Sequence, residues 1–192
     1  MQATRIIQSA LLIAFCLDSL GDKKLQRVPL MDEKEVVERF DAHVREYVEL
    51  HNQQEAILPK LKSTDSPEKI TEYQNALAEG IRSVRKNAQP GDIFTWEVRE
   101  YFIVEVHKVF HGPVGPDARL TVKQGEPLKG HIDVNQSYPD GAPLTTVPPT
   151  LLLSLPKLPK ELRYGIIDRT FILLDVKANL VVDFIAGAIP NR

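Results

Sequence analysis

The stretch from Glu161 to Ala186, ELRYGIIDRTFILLDVKANLVVDFIA, decides the fold of this chain. Three runs in it are rich in Leu, Ile, Val and aromatic residues, which favour β-strands, and they are Leu162–Ile167, Thr170–Val176 and Leu180–Ile185. Only Asp168-Arg169 and Lys177-Ala178-Asn179 separate these runs, and loops that short close antiparallel hairpins. Asn179 tolerates a positive φ and suits the end of the second loop. The stretch therefore predicts a three-stranded antiparallel β-meander.

Both faces of this predicted sheet carry apolar side chains. In the register that the short loops set, one face holds Tyr164, Ile166, Phe171, Leu173, Val181 and Ile185. The other face holds Ile167, Ile172, Leu174, Val182 and Phe184. Burial of each large apolar side chain is worth roughly 1.5–3 kcal/mol. We therefore expect the rest of the chain, or a partner, to cover both faces.

Composition places the chain among folded proteins and limits its partners. Apolar residues make up 43% and charged residues 26% of the 192 positions, which excludes a disordered chain. The formal net charge is −2, and nucleic-acid binding requires a basic excess or a basic patch. The densest basic cluster, Arg82–Lys86, is typical of a solvated helix face. We therefore predict no nucleic-acid partner.

The N-terminal residues 1–21 have the pattern of a secretory signal peptide. Arg5 precedes an apolar run from Ile6 to Leu17, and Ser19 and Gly21 supply small residues at a cleavage position. The apolar run is shorter than the roughly 20 residues of a membrane span, and the alternative interpretation is an ordinary first helix or a misplaced start codon. The pattern predicts a periplasmic or secreted protein without a stable membrane span after signal removal. The sole cysteine, Cys16, lies in this segment, so a mature chain would lack a thiol nucleophile and a zinc–thiolate site.

Three amphipathic helices are predicted before the strands, in a helical subdomain at residues 32–111. The first runs from Asp32 to Leu58, and its apolar stripe is Val36, Val37, Phe40, Val44, Tyr47, Val48 and His51. The second begins with Ser66 or Asp65 as N-cap and Pro67 at the first position, and its stripe is Ile70, Tyr73, Leu77, Ile81 and Val84. The third begins at Thr95 and ends before Gly112-Pro113, with apolar positions Trp96, Phe102, Ile103, Val106, Val109 and Phe110.

The segment from Gly112 to Pro159 is rich in proline, which disfavours long regular elements. Short strands are predicted at Leu120–Val122 and His131–Val134, and one helical turn at Leu151–Leu155. This connector can cover one face of the sheet while the helices cover the other. Residues 112–192 would then pack with the helical subdomain as one domain. The predicted fold class is α+β, with three N-terminal helices on a small C-terminal β-meander.

His107 and His111 are the candidate metal ligands. They lie four residues apart on one face of the third helix, a spacing that the zincin motif uses to bind zinc. Lys108 stands where that motif requires Glu, and a third ligand would have to come from Glu100, Asp168 or Asp183. The alternative is that both are polar residues near a helix C-terminus, where the dipole favours a protonated imidazole.

Asp175 and Asp183 are the candidate catalytic carboxylates. They are the only charges on their sheet face and are diagonal neighbours in the predicted register, roughly 7–8 Å apart. Two carboxylates at that separation can perform general acid–base work or hold a metal. The alternative is that they accept backbone N–H bonds from turns, which suits the position of Asp175 before its loop.

The C-terminal part of the chain resembles a group of uncharacterised exported bacterial proteins. The residues that carry the resemblance are YPDGAPL from Tyr138, VPPTLL from Val147, LPKLP from Leu155, and LLDVKANLVVD from Leu173. The resemblance implies export and one continuous fold, and it supplies no catalytic residue. Because no nucleophile or phosphate-loop signature occurs, we expect a non-enzymatic binding or interaction module without a cofactor. Its partner would be a protein or a small molecule. A small metal-dependent hydrolase using His107, His111 and the two aspartates is the alternative.

Overall fold

The computed structural model describes residues 32–61, 65–123, 132–139 and 145–190. The predicted signal peptide and Cys16 lie outside these ranges. The elements, in chain order, are α1 Glu33–Ile57, α2 Pro67–Val84, α3 Trp96–His111, α4 Gly115–Lys123, α5 Pro149–Ser154, β1 Leu162–Ile167, β2 Thr170–Asp175 and β3 Leu180–Ile185. Residues Met31–Arg192 group as one compact unit. The predicted α+β class, with helices packed on a C-terminal β-meander, is confirmed.

The sheet has the order β1-β2-β3 with both pairs antiparallel. β1 and β3 have the predicted bounds, and β2 ends at Asp175, one residue earlier than predicted. Asp168 and Asn179, one in each hairpin loop, have φ of 52°. Asp and Asn tolerate this left-handed conformation because their short polar side chains bond locally.

Because of a β-bulge in β3, the predicted assignment of two side chains to the faces of the sheet is wrong. Leu173 pairs with Asp183 but Leu174 pairs with Val181, so Val182 is an extra residue on its strand. As a result Val182 packs into the helix-covered core, whereas Val181 packs with the opposite face. The sequence-based register placed these two valines the other way round because it assumed unbroken alternation.

The helix-covered face of the sheet holds the main core. An aromatic cluster lies at its centre, with ring centroids 5.1–6.4 Å apart, and consists of Phe40, Phe94, Phe102, Tyr164 and Phe171. Such pairs are worth about 0.5–1.5 kcal/mol beyond their burial. α1 contributes its predicted stripe, of which Val36, Phe40, Val44, Tyr47 and His51 are buried. This packing holds α1 across the sheet near the β2–β3 loop.

The connector covers the other face and one edge of the sheet. Tyr138 and Ile132 pack with Ile167, Ile172 and Leu174 in a second apolar cluster. At the edge of β3, the backbone N–H of Asn135 donates to the Val181 carbonyl at 2.8 Å, and Val181 donates to Gln136 at 2.9 Å. These bonds satisfy edge groups that would otherwise be open to pairing with another chain.

Several predictions for the helices and connector are wrong. Leu120–Val122 lies in α4 and not in a strand, because Pro116 and Asp117 fall in the first turn, where a missing N–H and a negative charge suit a helix. No strand forms over the described part of the second predicted segment, Ile132–Val134 (His131 lies outside the described residues). Three members of the predicted apolar stripes are exposed, namely Ile70, Val84 and Trp96. The predicted turn of helix appears as α5, with Pro149 at its first position.

Candidate functional site

A buried carboxylate, Asp175, joins α1 to the β2–β3 hairpin. Its Oδ2 accepts hydrogen bonds from the Tyr47 hydroxyl at 2.7 Å and from His51 Nδ1 at 2.6 Å. Its Oδ1 accepts the backbone N–H groups of Lys177 at 3.0 Å and Ala178 at 2.8 Å. Tyr47 and His51 reach the same oxygen because residues four apart share one helix face. Asp175 thus ties a helix and a turn together through four donors.

The imidazole of His51 is fully buried between two carboxylates. Because Asp175 accepts at Nδ1, that nitrogen carries a proton and the ring is oriented, as in the His–Asp pairs of acyl-transfer enzymes. The other nitrogen, Nε2, has no hydrogen-bond partner in the described part of the chain and lies 3.5 Å from Glu55 Oε2. Burial lowers the pKa of His51, but Asp175, Glu55 and Glu161 outweigh it, and the pKa rises above its ordinary value of 6.5.

Glu55 connects the buried Asp175–His51 pair to polar groups at the surface. Its Oε1 accepts hydrogen bonds from the Tyr73 hydroxyl at 3.0 Å and from Lys177 Nζ. The Lys177 ammonium also lies over the Tyr73 ring, 5.7 Å from the ring centroid. The bond from Lys177 holds the pKa of the Glu55 carboxyl below its ordinary value, and the same bond raises the pKa of Lys177. When His51 is protonated, charges alternate along this chain of polar groups from Asp175 through His51 and Glu55 to Lys177.

This chain ends in a groove of about 620 Å³, here called the Lys177 groove. Its polar lining is Asn52, Glu55, Lys60, Tyr73 and Lys177. Its apolar lining is Ala56, Leu58 and Leu61. Two lysines against one glutamate leave an excess of one positive charge. Ligand sites typically have about 300–1,000 Å³, apolar walls and a few polar groups.

A second groove of about 770 Å³ lies between α1 and the segment Lys157–Pro159. Its charged lining is Asp41, Arg45, Glu49 and Lys157, in which the charges cancel. No buried polar side chain that lacks a partner lies among its lining residues, whereas His51 Nε2 lies 3.5 Å from Glu55, which lines the Lys177 groove. The smaller groove is therefore the better candidate site.

Asp183 is also buried, but its hydrogen-bond partners differ from those of Asp175. Its two oxygens accept the backbone N–H groups of Gly91 at 2.9 Å, and of Ile93, Phe94 and Phe184 at 2.8 Å each. Burial raises the pKa of Asp183, and these four bonds oppose that rise. The two aspartates lie on the same face, as predicted, but their hydrogen bonds give them no common partner. Asp183 closes the turn between α2 and α3.

His107 and His111 lie exposed on α3, with ring centroids 5.4 Å apart. His111 Nδ1 donates to the His107 carbonyl at 3.1 Å. Among the residues that the structure describes, no three His, Cys, Asp or Glu side chains are grouped to hold a metal. Glu100, Asp168 and Asp183 therefore do not complete a site with the two histidines.

The sequence singled out neither His51 nor Glu55 as a site residue. His51 was predicted only as a member of the buried stripe of α1. That position is itself a signal, because a polar side chain on a buried stripe requires a polar partner. Lys177 and Tyr73 gave no signal, since their meeting at Glu55 depends on how α1, α2 and the hairpin pack.

The comparisons with known proteins add no family. The chain matches no protein-family model, no curated protein and no solved structure. Within the described ranges no helix combines the length and the apolar character that a membrane crossing requires. Function therefore has to be argued from the groove and the buried chain behind it.

Proposed function

We propose that this protein is a non-enzymatic binding module whose Lys177 groove takes a small carboxylate with an apolar tail. The observation that carries the proposal is the Lys177 ammonium at the groove, held by Glu55 and backed by the buried His51–Asp175 pair. Side chains that bind a ligand work best when a second layer of bonds fixes them.

The charge of the groove supports an anionic ligand. Lys60 makes no ion pair with any other described residue and adds its charge to that of Lys177. A ligand carboxylate can take the place of the Glu55 carboxylate at Lys177. Glu55 would then turn its charge to His51 Nε2, the one described buried side-chain atom without a hydrogen-bond partner. Leu58, Leu61 and Ala56 would contact the apolar part of the ligand.

The surroundings of His51 support binding over catalysis. A general base must reach the proton that it removes, within about 2.6–3.2 Å. His51 Nε2 is enclosed, and no Ser, Thr or Cys hydroxyl or thiol among the described residues bonds to it. The pair therefore lacks the nucleophile that an acyl-transfer site requires.

Octanoate is a suitable probe, with octanol as its uncharged counterpart. We expect octanoate to bind the full chain by calorimetry or by NMR shifts of groove residues, and octanol to bind more weakly. Lys177→Met should weaken octanoate binding by about 10- to 100-fold, which corresponds to losing one hydrogen bond to a charged group.

Lys157→Met is the matched control, since Lys157 lies in the second groove. The proposal is wrong if octanoate binds no better than octanol, or if Lys157→Met weakens binding as much as Lys177→Met does. Lys60→Gln gives an independent check, because Lys60 has no described ion pair and its loss should weaken octanoate binding without changing the fold.

Export belongs to the same proposal and rests on the sequence alone. The charged start, apolar run and small-residue position in residues 1–21 support it. Mass spectrometry of the protein purified from its natural source tests it. A mature N-terminus shortly after Gly21 is the expected result, and a chain that retains residues 1–21 in the cytoplasm would contradict it.

A further inference from the structure

We propose that His107 and His111 form a surface site that chelates one divalent transition-metal ion of the Zn²⁺, Ni²⁺ and Cu²⁺ class, with water in the remaining coordination positions. This site is independent of the Lys177 groove. Imidazole nitrogens are good ligands for these ions.

The distance between the two rings fits a single shared ion. Two imidazole nitrogens about 2.0–2.1 Å from one Zn²⁺, at a near-tetrahedral angle, place their ring centres about 5 Å apart. The ring centroids of His107 and His111 are 5.4 Å apart. Both side chains are exposed, so small rotations that aim both nitrogens at one ion displace no packed atoms. An ion can therefore bind without repacking the core.

A backbone hydrogen bond prepares one of the two rings for a metal. His111 Nδ1 lies 3.1 Å from the His107 carbonyl oxygen, which can only accept, so Nδ1 must carry the proton. In the neutral ring the lone pair is then on Nε2. Metal-binding histidines are commonly oriented by a bond of this kind at their other nitrogen.

The positive charge of Lys108, which follows His107 in the sequence, is already paired with a carboxylate. Lys108 Nζ donates to Glu105 Oε1 one turn earlier on α3, so the ammonium is paired. Lys108 also occupies the position at which a zinc protease carries its general base, and the described residues offer no third ligand. These features indicate a binding site of moderate affinity and not a hydrolytic centre.

Zn²⁺ titration of the full chain, followed by NMR of the imidazole C–H signals, tests the proposal. We expect the signals of His107 and His111 to shift together at one equivalent of Zn²⁺. Removing either ligand should weaken binding at this site by about a hundredfold, because the second imidazole binds within the same molecule. The variants are His107→Asn and His111→Asn, and both positions are exposed, so circular dichroism should show an unchanged fold.

His43→Asn is the matched control, since His43 is a partly exposed histidine on α1 that pairs with Glu46. It should leave the titration unchanged. Cys16 is present in every variant, so zinc bound there cancels in the comparison. The inference is overturned if His107→Asn with His111→Asn binds Zn²⁺ as tightly as the unaltered chain, or if only one of the two imidazoles shifts.

Discussion

Replacing Asp175 by Asn tests whether the buried chain behind the Lys177 groove holds the fold together. The substitution keeps the shape of the side chain but removes its charge and one of its two acceptor oxygens. Four donors point at the carboxylate, two from side chains and two from the backbone. An Asn amide can face only one of these pairs with its oxygen. Its NH₂ group then points either at two backbone N–H groups, which cannot accept, or at the Tyr47 hydroxyl and the His51 ring, which must both change from donor to acceptor.

The expected cost follows from this geometry. Removing one partner of a buried ion pair costs about 3–5 kcal/mol, because the remaining charge is uncompensated. If the Asn oxygen faces Tyr47 and His51, the backbone N–H groups of Lys177 and Ala178 also lose their acceptor, at about 1–3 kcal/mol each. Because His51 can release its proton when Asn replaces Asp175, we expect the total loss in the free energy of unfolding to stay near the lower end, at about 3–5 kcal/mol. That is a large fraction of the roughly 5–15 kcal/mol of a typical domain.

Urea denaturation followed by circular dichroism measures this change in the free energy of unfolding. Asp168→Asn is the matched control, since Asp168 is exposed in the other hairpin loop at a φ that Asn tolerates. It should change the free energy by less than about 0.5 kcal/mol. A loss below about 1 kcal/mol in Asp175→Asn would refute the assignment of Asp175 as the joint between α1 and the hairpin.

Three further changes follow from the same structure. The raised pKa of His51 means that its stabilising charge is fully present below pH 6.5 and is lost as pH rises through the higher folded pKa. The stability advantage of the unaltered chain over His51→Gln should therefore shrink as pH rises above about 6.5 in a denaturation series. An advantage that grows with pH would contradict this. Asp183→Asn leaves two of the four N–H groups at Asp183, which are buried or partly buried, without an acceptor and should cost about 2–6 kcal/mol in urea denaturation. A cost within experimental error would show that solvent reaches that turn. Phe102→Ala, in the aromatic core, should lower the free energy of unfolding by about 3–5 kcal/mol. Trp96→Ala, on the exposed side of α3, should change it by less than about 0.5 kcal/mol. Equal effects of the two substitutions would show that the core is placed wrongly.

The sheet could be predicted from the sequence because its signals are local. Alternation, β-branched residues and two short loops indicate the strands and their antiparallel order within 26 residues of chain. The bulge at Val182 could not be predicted in this way. The bulge depends on packing, because it places Val182 and Asp183 on the same, helix-covered side of the sheet. Val182 packs in the apolar core there, and Asp183 accepts backbone hydrogen bonds from the α2–α3 turn.

The candidate site could not be predicted because its residues are distant in sequence. His51 and Asp175 are separated by 124 positions, and Glu55 and Lys177 by 122. The sequence did mark Asp175 as unusual, a charge on an apolar sheet face, and His51 as a polar member of a buried stripe. The sequence does not predict that α1 crosses the sheet at the point that brings His51 to Asp175. That crossing depends on how Phe40 and Tyr47 pack on the sheet.

A buried ion pair requires an explanation, because stability alone does not favour it. Apolar residues of similar volume in place of a buried ion pair are often neutral or stabilising by about 1–4 kcal/mol. Tyr47, His51 and Asp175 lie beside an apolar core that could accommodate such replacements. The pair also leaves His51 Nε2 without a hydrogen bond, which adds a further cost. A second carboxylate in hydrogen-bond contact with Nε2 would reduce that cost, and Glu55 Oε2 lies 3.5 Å from this nitrogen. Glu55 is at present held by Lys177 and Tyr73 at the groove, so an anion that binds Lys177 would relieve the buried nitrogen as well. Under the proposed function, a ligand bound at Lys177 would therefore complete the hydrogen bonding of the buried pair.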